Sequence, residues 1–105
     1  VKYWNWEYAS MTIFQQITIR IIKEQELIIC PVAWSEAKKV TGLNVVDQKQ
    51  GEVTIDDGGK EKGIIDQLVA RYERLFGRAS HEVCREAVSG IIVNLKPEEV
   101  PASLR

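Results

Sequence analysis

Between Met11 and Ile22 the chain alternates: Ile13, Ile17, Ile19 and Ile21 share one parity, while Thr12, Gln16, Thr18 and Arg20 take the other. A period of two in a β-branched stretch predicts a strand with one buried face. Met11, Phe14, Ile17 or Thr18, and Ile21 also fall at helical spacing behind Ser10, so a helix competes for the same residues. Leu27 to Trp34 is apolar on both parities, as in a strand buried on both faces, and Pro31 puts it at an edge or a strand end. Ser35 precedes a short helical turn over Glu36 to Val40 that Gly42 can close. Val45 to Gly51 and Glu52 to Ile55 read as two short strands around a polar turn near Gln48 to Gly51.

The second half follows a helical period. Ile65, Leu68, Val69, Tyr72 and Phe76 recur at steps of three and four, with Asp66, Gln67, Arg71, Glu73 and Arg74 on the other side. Gly77 ends this helix and Ser80 is the expected cap of the next, in which Val83, Cys84, Ala87, Val88, Ile91 and Ile92 form one stripe. Gly90 lies in that stripe, which leaves a final strand over Ile91 to Leu95 as an alternative. Pro97 and Pro101, four residues apart, exclude regular structure, so residues 96–105 are expected to be a tail. The expected fold is α+β: a small antiparallel sheet from the first half, covered on one face by the two C-terminal helices, in a single domain over residues 1–105.

Composition narrows the function classes. The 105 residues are 45% hydrophobic and 28% charged, close to ordinary globular usage. Fourteen Lys and Arg against fifteen Asp and Glu give a net charge of -1, and the cations alternate with acids, so no basic stripe is available to bind phosphate backbones. Nucleic acid is therefore not an expected partner. The apolar region from Ile13 to Trp34 is broken by Arg20, Lys23, Glu24 and Glu26, so no membrane span is expected. Two cysteines, Cys30 and Cys84, suit reduced thiols in a cytoplasm better than a disulfide framework. The first residue is Val1 rather than Met, as expected of a trimmed or excised piece.

Two places could carry chemistry. Asp56-Asp57-Gly58-Gly59-Lys60-Glu61-Lys62 joins a strand to the N-terminus of the strongest helix, where free amides, Gly58, Gly59 and the cations Lys60 and Lys62 could hold a small anion. Its spacing matches neither a P-loop nor a dinucleotide fingerprint, and the two aspartates oppose a phosphate. His81 and Cys84, three apart on one helix face, could form a thiolate–imidazole pair, although Cys84 also falls within the apolar stripe, where a cysteine serves as a small hydrophobe. Cys30, Cys84 and His81 could make a zinc site only by converging from distant positions, so no metal and no cofactor is expected. Trp4, Trp6 and Tyr8 share one parity and form an aromatic face that completes a core, this domain's or a second subunit's.

No motif here nominates a family. The expected function is a non-catalytic protein-interaction or regulatory domain that self-associates, as a homodimer. Its rival is a small ligand-binding protein or enzyme using the Gly58-Gly59-Lys60 loop and a Cys84/His81 thiol site.

Overall fold

The computed structural model describes residues 12–56 and 58–105, so the aromatic face of Trp4, Trp6 and Tyr8 lies outside the described residues. Where the alternating isoleucines predicted a strand, the chain is helical: α1 runs Ile13–Ile29. Thr12 starts it with a reciprocal cap, its hydroxyl accepting from Gln15 N (3.1 Å) while Gln15 Oε1 accepts from Thr12 N (2.9 Å). Helix is disfavoured for a β-branched residue by at most about 0.7 kcal/mol. Burying an isoleucine returns about 1.5–3 kcal/mol, and the helical spacing of Ile17, Thr18, Ile21, Ile22 and Gln25 buries all five. Burial outweighs local preference.

The strand expected over Leu27 to Trp34 is also replaced by helix. α1 ends at Cys30, whose φ of 55° turns the chain, and Pro31 (φ −64°) leads into α2, Val32–Ala37. A proline at a helix entry sacrifices no intrahelical hydrogen bond, so the residue that suggested a strand edge instead begins a turn of helix. α2 thus starts before Ser35, and a turn then reaches Gly42 (φ 91°), which precedes the sheet.

The sheet is the antiparallel pair β1 (Leu43–Asp47) and β2 (Glu52–Ile55), with Leu43 opposite Ile55 and Val45 opposite Val53. The register shifts between Val45 and Asp47, and Asp47 Oδ1 holds the turn by accepting from Lys49 N and Gln50 N. α1 supplies most of the helix packing against this pair, helped by a hydrogen bond from Gln15 Nε2 to Val53 O (3.2 Å). A small antiparallel sheet in the first half with helices packed against it makes the fold α+β.

α3 (Glu61–Phe76) and α4 (Arg78–Ile92) meet at Gly77, whose φ of 88° lets the chain reverse without a Cβ clash. Ser80 is not the cap expected of it but a buried residue inside α4. After Ile92 the chain continues in turns, Asn94 N bonding Ile91 O and Leu95 N bonding Ile92 O, so the alternative final strand does not form. α1 packs along α4, and α4 along α3. Between them lies a core that includes Ile17, Ile21, Ile22, Trp34, Ile65, Leu68, Val69, Tyr72, Cys84 and Val88.

The tail also departs from expectation. Two single turns of 3-10 helix, Pro97–Glu99 and Ala102–Leu104, fit between its prolines, because a proline can occupy the start of a turn. Val100, Pro101 and Leu104 are buried, so the segment belongs to the folded body.

Candidate functional site

The Gly58-Gly59-Lys60 loop is open and exposed, with Gly59 at φ 85°. Lys60 occupies the cap position of α3 and Glu61 its first turn, so a carboxylate already stands at the positive end of the helix. Lys62 does not point toward a free anion site: its Nζ donates to the Glu98 carbonyl at 2.7 Å, fastening the tail. The loop offers backbone amides and one exposed lysine.

His81 and Cys84 share the start of α4 but engage different partners. Cys84 is fully buried and its sulfur accepts from Gln25 Nε2 at 3.3 Å, while the same amide nitrogen donates to Ser80 O at 2.9 Å. Burial pushes the thiol up to about 11; the Gln25 donor offsets part of this and the Glu73 charge adds to it. His81 lies with Nε2 2.6 Å from Ser103 O and Nδ1 3.3 Å from Glu73 Oε1. With both ring nitrogens occupied, the imidazole has none left to take a proton from Cys84. Neutral at ordinary pH and shut off from solvent, the thiol is a core residue rather than an activated nucleophile. Cys30 is exposed at the α1–α2 corner, and the three residues of the supposed zinc set do not gather. Among the described residues no group of three His, Cys, Asp or Glu side chains could hold a metal ion.

Surface depressions among the described residues include the following two. One, of about 370 Å³, lies between α1 and the hairpin turn and is bordered by Arg20, Lys23, Glu24, Glu26, Gln48 and Lys49. Its lining carries charges of both signs and so favours neither kind of ion. The other, of about 610 Å³, runs along α4 and the tail, with Val83, Ile92, Val100 and Leu104 at its base and Glu82, Arg85, Glu86 and Arg105 around it. Arg85 is taken up by Glu82 (3.1 Å) and Arg105 Nε by Val100 O (3.3 Å).

Among the described residues several large apolar side chains are exposed elsewhere, Ile28, Val32, Leu75 and Phe76 among them. Glu36 accepts from Arg71, and Ala33 O from the Tyr72 hydroxyl at 2.7 Å, so α2 packs on the second half of α3. Val32 precedes Ala33, Leu75 and Phe76 follow Tyr72 by about one turn, and Ile28 stands just before the Cys30–Pro31 corner. Ile28 is 60% exposed, Val32 42%, Leu75 48% and Phe76 40%. Sequence reasoning assigned Ile28 and Val32 to a doubly buried strand and Phe76 to a packing face. The available signal was the apolar run from Leu27 to Val32, longer than a helix end requires to cover its core.

Among the described residues no helix is long and apolar enough to cross a membrane. A scan against protein-family models and searches of curated proteins and of solved structures found no match to this chain.

Proposed function

We propose that the chain is a non-catalytic interaction or regulatory domain that self-associates as a homodimer through the end formed by the α1–α2 corner and the α3–α4 turn. The observation that carries this reading is the exposure of Ile28, Val32, Leu75 and Phe76, each two-fifths or more, on the elements that flank the Tyr72–Ala33 contact. Scattered apolar residues are normal on a surface, whereas contiguous ones mark interaction sites. A second copy is the occupant chosen because an isologous contact needs only one self-complementary surface. The side-chain chemistry supports the non-catalytic half of the reading: the one histidine is engaged on both nitrogens, and the buried cysteine is held neutral. Two free cysteines suit a reducing cytoplasm.

Sedimentation velocity from about 10 µM to about 1 mM, the range of weak association, tests it. The weight-average mass should climb from 11.9 kDa toward twice that value, and Ile28→Glu or Phe76→Glu should hold the chain monomeric with unchanged helical circular dichroism. A native chain that stays at 11.9 kDa throughout, or charged variants that associate as well as the native chain, would overturn the proposal.

A further inference from the structure

Charges of opposite sign stand beside the exposed apolar residues of α1 and those of α3. Glu24, at the edge of the depression beside the hairpin, lies one turn before Ile28 on the same face of α1. Arg74 belongs to the last turn of α3, next to Leu75 and Phe76, and Arg78 opens α4 just past Gly77. Both arginines are exposed and Glu24 is half-buried. Among the described residues the ion pairs are Lys39–Glu36, Arg71–Glu36, His81–Glu73 and Arg85–Glu82, so none of them engages Glu24, Arg74 or Arg78. Neighbouring charges are used within the fold: Arg71 on Glu36, Glu73 on His81, and Lys23 lying against Gly51 at the hairpin turn.

We propose that two copies pack crosswise about a twofold axis, the α1–α2 corner of each against the α3–α4 turn of its twin, so that Glu24 of each copy faces the arginine pair of the other.

This rests on the self-association proposed above and specifies its geometry. A twofold contact brings residues at its axis against their own copies, and residues away from it against different ones. An axis through the α3–α4 turn would oppose Arg74 and Arg78 to themselves, guanidinium against guanidinium. An axis through Ile28 would oppose Glu24 to itself. An axis between the two turns each of these like-charge encounters into an opposite-charge one, formed once on either side. Rim ion pairs add little affinity, whereas like charges set together across a contact exclude the arrangement that contains them. The charges therefore choose the orientation, and Ile28, Val32, Leu75 and Phe76 supply the attraction.

Charge exchange in the full chain, read by sedimentation equilibrium, tests the crossed geometry. At about 50 mM salt, Glu24→Arg should weaken the dimer by about three- to tenfold, and Arg74→Glu with Arg78→Glu by a similar factor, because an attraction on each side becomes a repulsion. Combining all three substitutions restores opposite signs, so that variant should return to within about twofold of the native chain. Raising the salt to about 500 mM should weaken the native dimer by about two- to fivefold. Helical circular dichroism should stay unchanged throughout, since all three positions lie on the surface. A dimer that Ile28→Glu dissolves but that ignores salt and these charge reversals would overturn the crossed geometry and leave self-association standing. So would a combined variant that binds no more tightly than its parents. A native chain that stays monomeric overturns both proposals.

Discussion

Replacing Tyr72 with phenylalanine removes one oxygen atom, and its cost can be worked from a single contact. The phenol is fully buried and its hydroxyl donates to Ala33 O at 2.7 Å, tying α3 to the first turn of α2. Losing an ordinary hydrogen bond costs about 0.5–1.5 kcal/mol, and leaving a buried partner unsatisfied costs about 1–3 kcal/mol. The acceptor is a carbonyl with a second lone pair, so we expect the lower part of that range, about 1–2 kcal/mol. With a slope near 2 kcal/mol per M urea, typical of small domains, the midpoint of Tyr72→Phe should drop by about 0.5–1 M without a change in slope. An effect below about 0.3 kcal/mol would refute the reasoning, since it would mean that the hydroxyl is solvated in the native state. The same burial, reinforced by the charges of Cys84 and Glu36, drives the phenol well above its ordinary range. The native state therefore keeps Tyr72 protonated where the unfolded chain releases the proton, so the contribution of Tyr72 is full below about pH 10 and falls above it. Tyr72→Phe should reduce the alkaline fall in stability and leave the part that the buried Cys84 thiol contributes.

Four further outcomes concern the thiols, two glycines and Glu36. Thiol titration at neutral pH should find one fast cysteine, Cys30, with Cys84 reacting only on unfolding, since it is buried and its thiol is pushed up to about 11. Gly42→Ala should cost about 2–4 kcal/mol by urea melting, because φ is 91° and a new Cβ would stand 2.7 Å from the buried Ile64 Cδ1; Gly51→Ala should cost only about 1–2 kcal/mol, because its new Cβ would meet the movable end of Lys23. Glu36 would be raised by its burial, but hydrogen bonds and charges from Lys39 and Arg71 outweigh this and hold its carboxyl below the usual range. Its contribution is thus present above the ordinary carboxylate range and lost as pH falls, so Glu36→Gln should flatten the acid limb of a stability–pH curve.

The elements legible in the sequence were those with one consistent period. Ile65, Leu68, Val69 and Tyr72 admit only a helix, and the polar turn between Val45 and Ile55 admits little but a hairpin. α1 was ambiguous because isoleucines at 13, 17, 19 and 21 satisfy both periods. The deciding signal was the Thr12-x-x-Gln15 capping box, a local pattern weaker than the β-branched run that hid it. Pro31 misled in the same region, since a proline at a helix entry looks from sequence like one at a strand edge. Of the candidate site residues, His81 stood out as the one histidine, but its partners Ser103 and Glu73 are 22 and 8 positions away and no local spacing announces them. Lys62 was read as a free cation because its acceptor, the Glu98 carbonyl, lies in a tail expected to be unstructured. The exposed end was hidden for a related reason: hydrophobicity reports that a residue would gain from burial, and only the packing reveals which ones are left uncovered.

The self-associating end is the central claim, and dilution followed by NMR tests it at residue level. Amide and methyl signals should be recorded from about 1 mM down to about 10 µM, the range in which weak self-association shows. The account predicts that Ile28, Val32, Leu75 and Phe76 shift together along one binding curve while the signals of the Gly58-Gly59 loop and of the α4 groove stay fixed. Signals that do not move on dilution, or shifts confined to Val83, Ile92 and the groove, would contradict it.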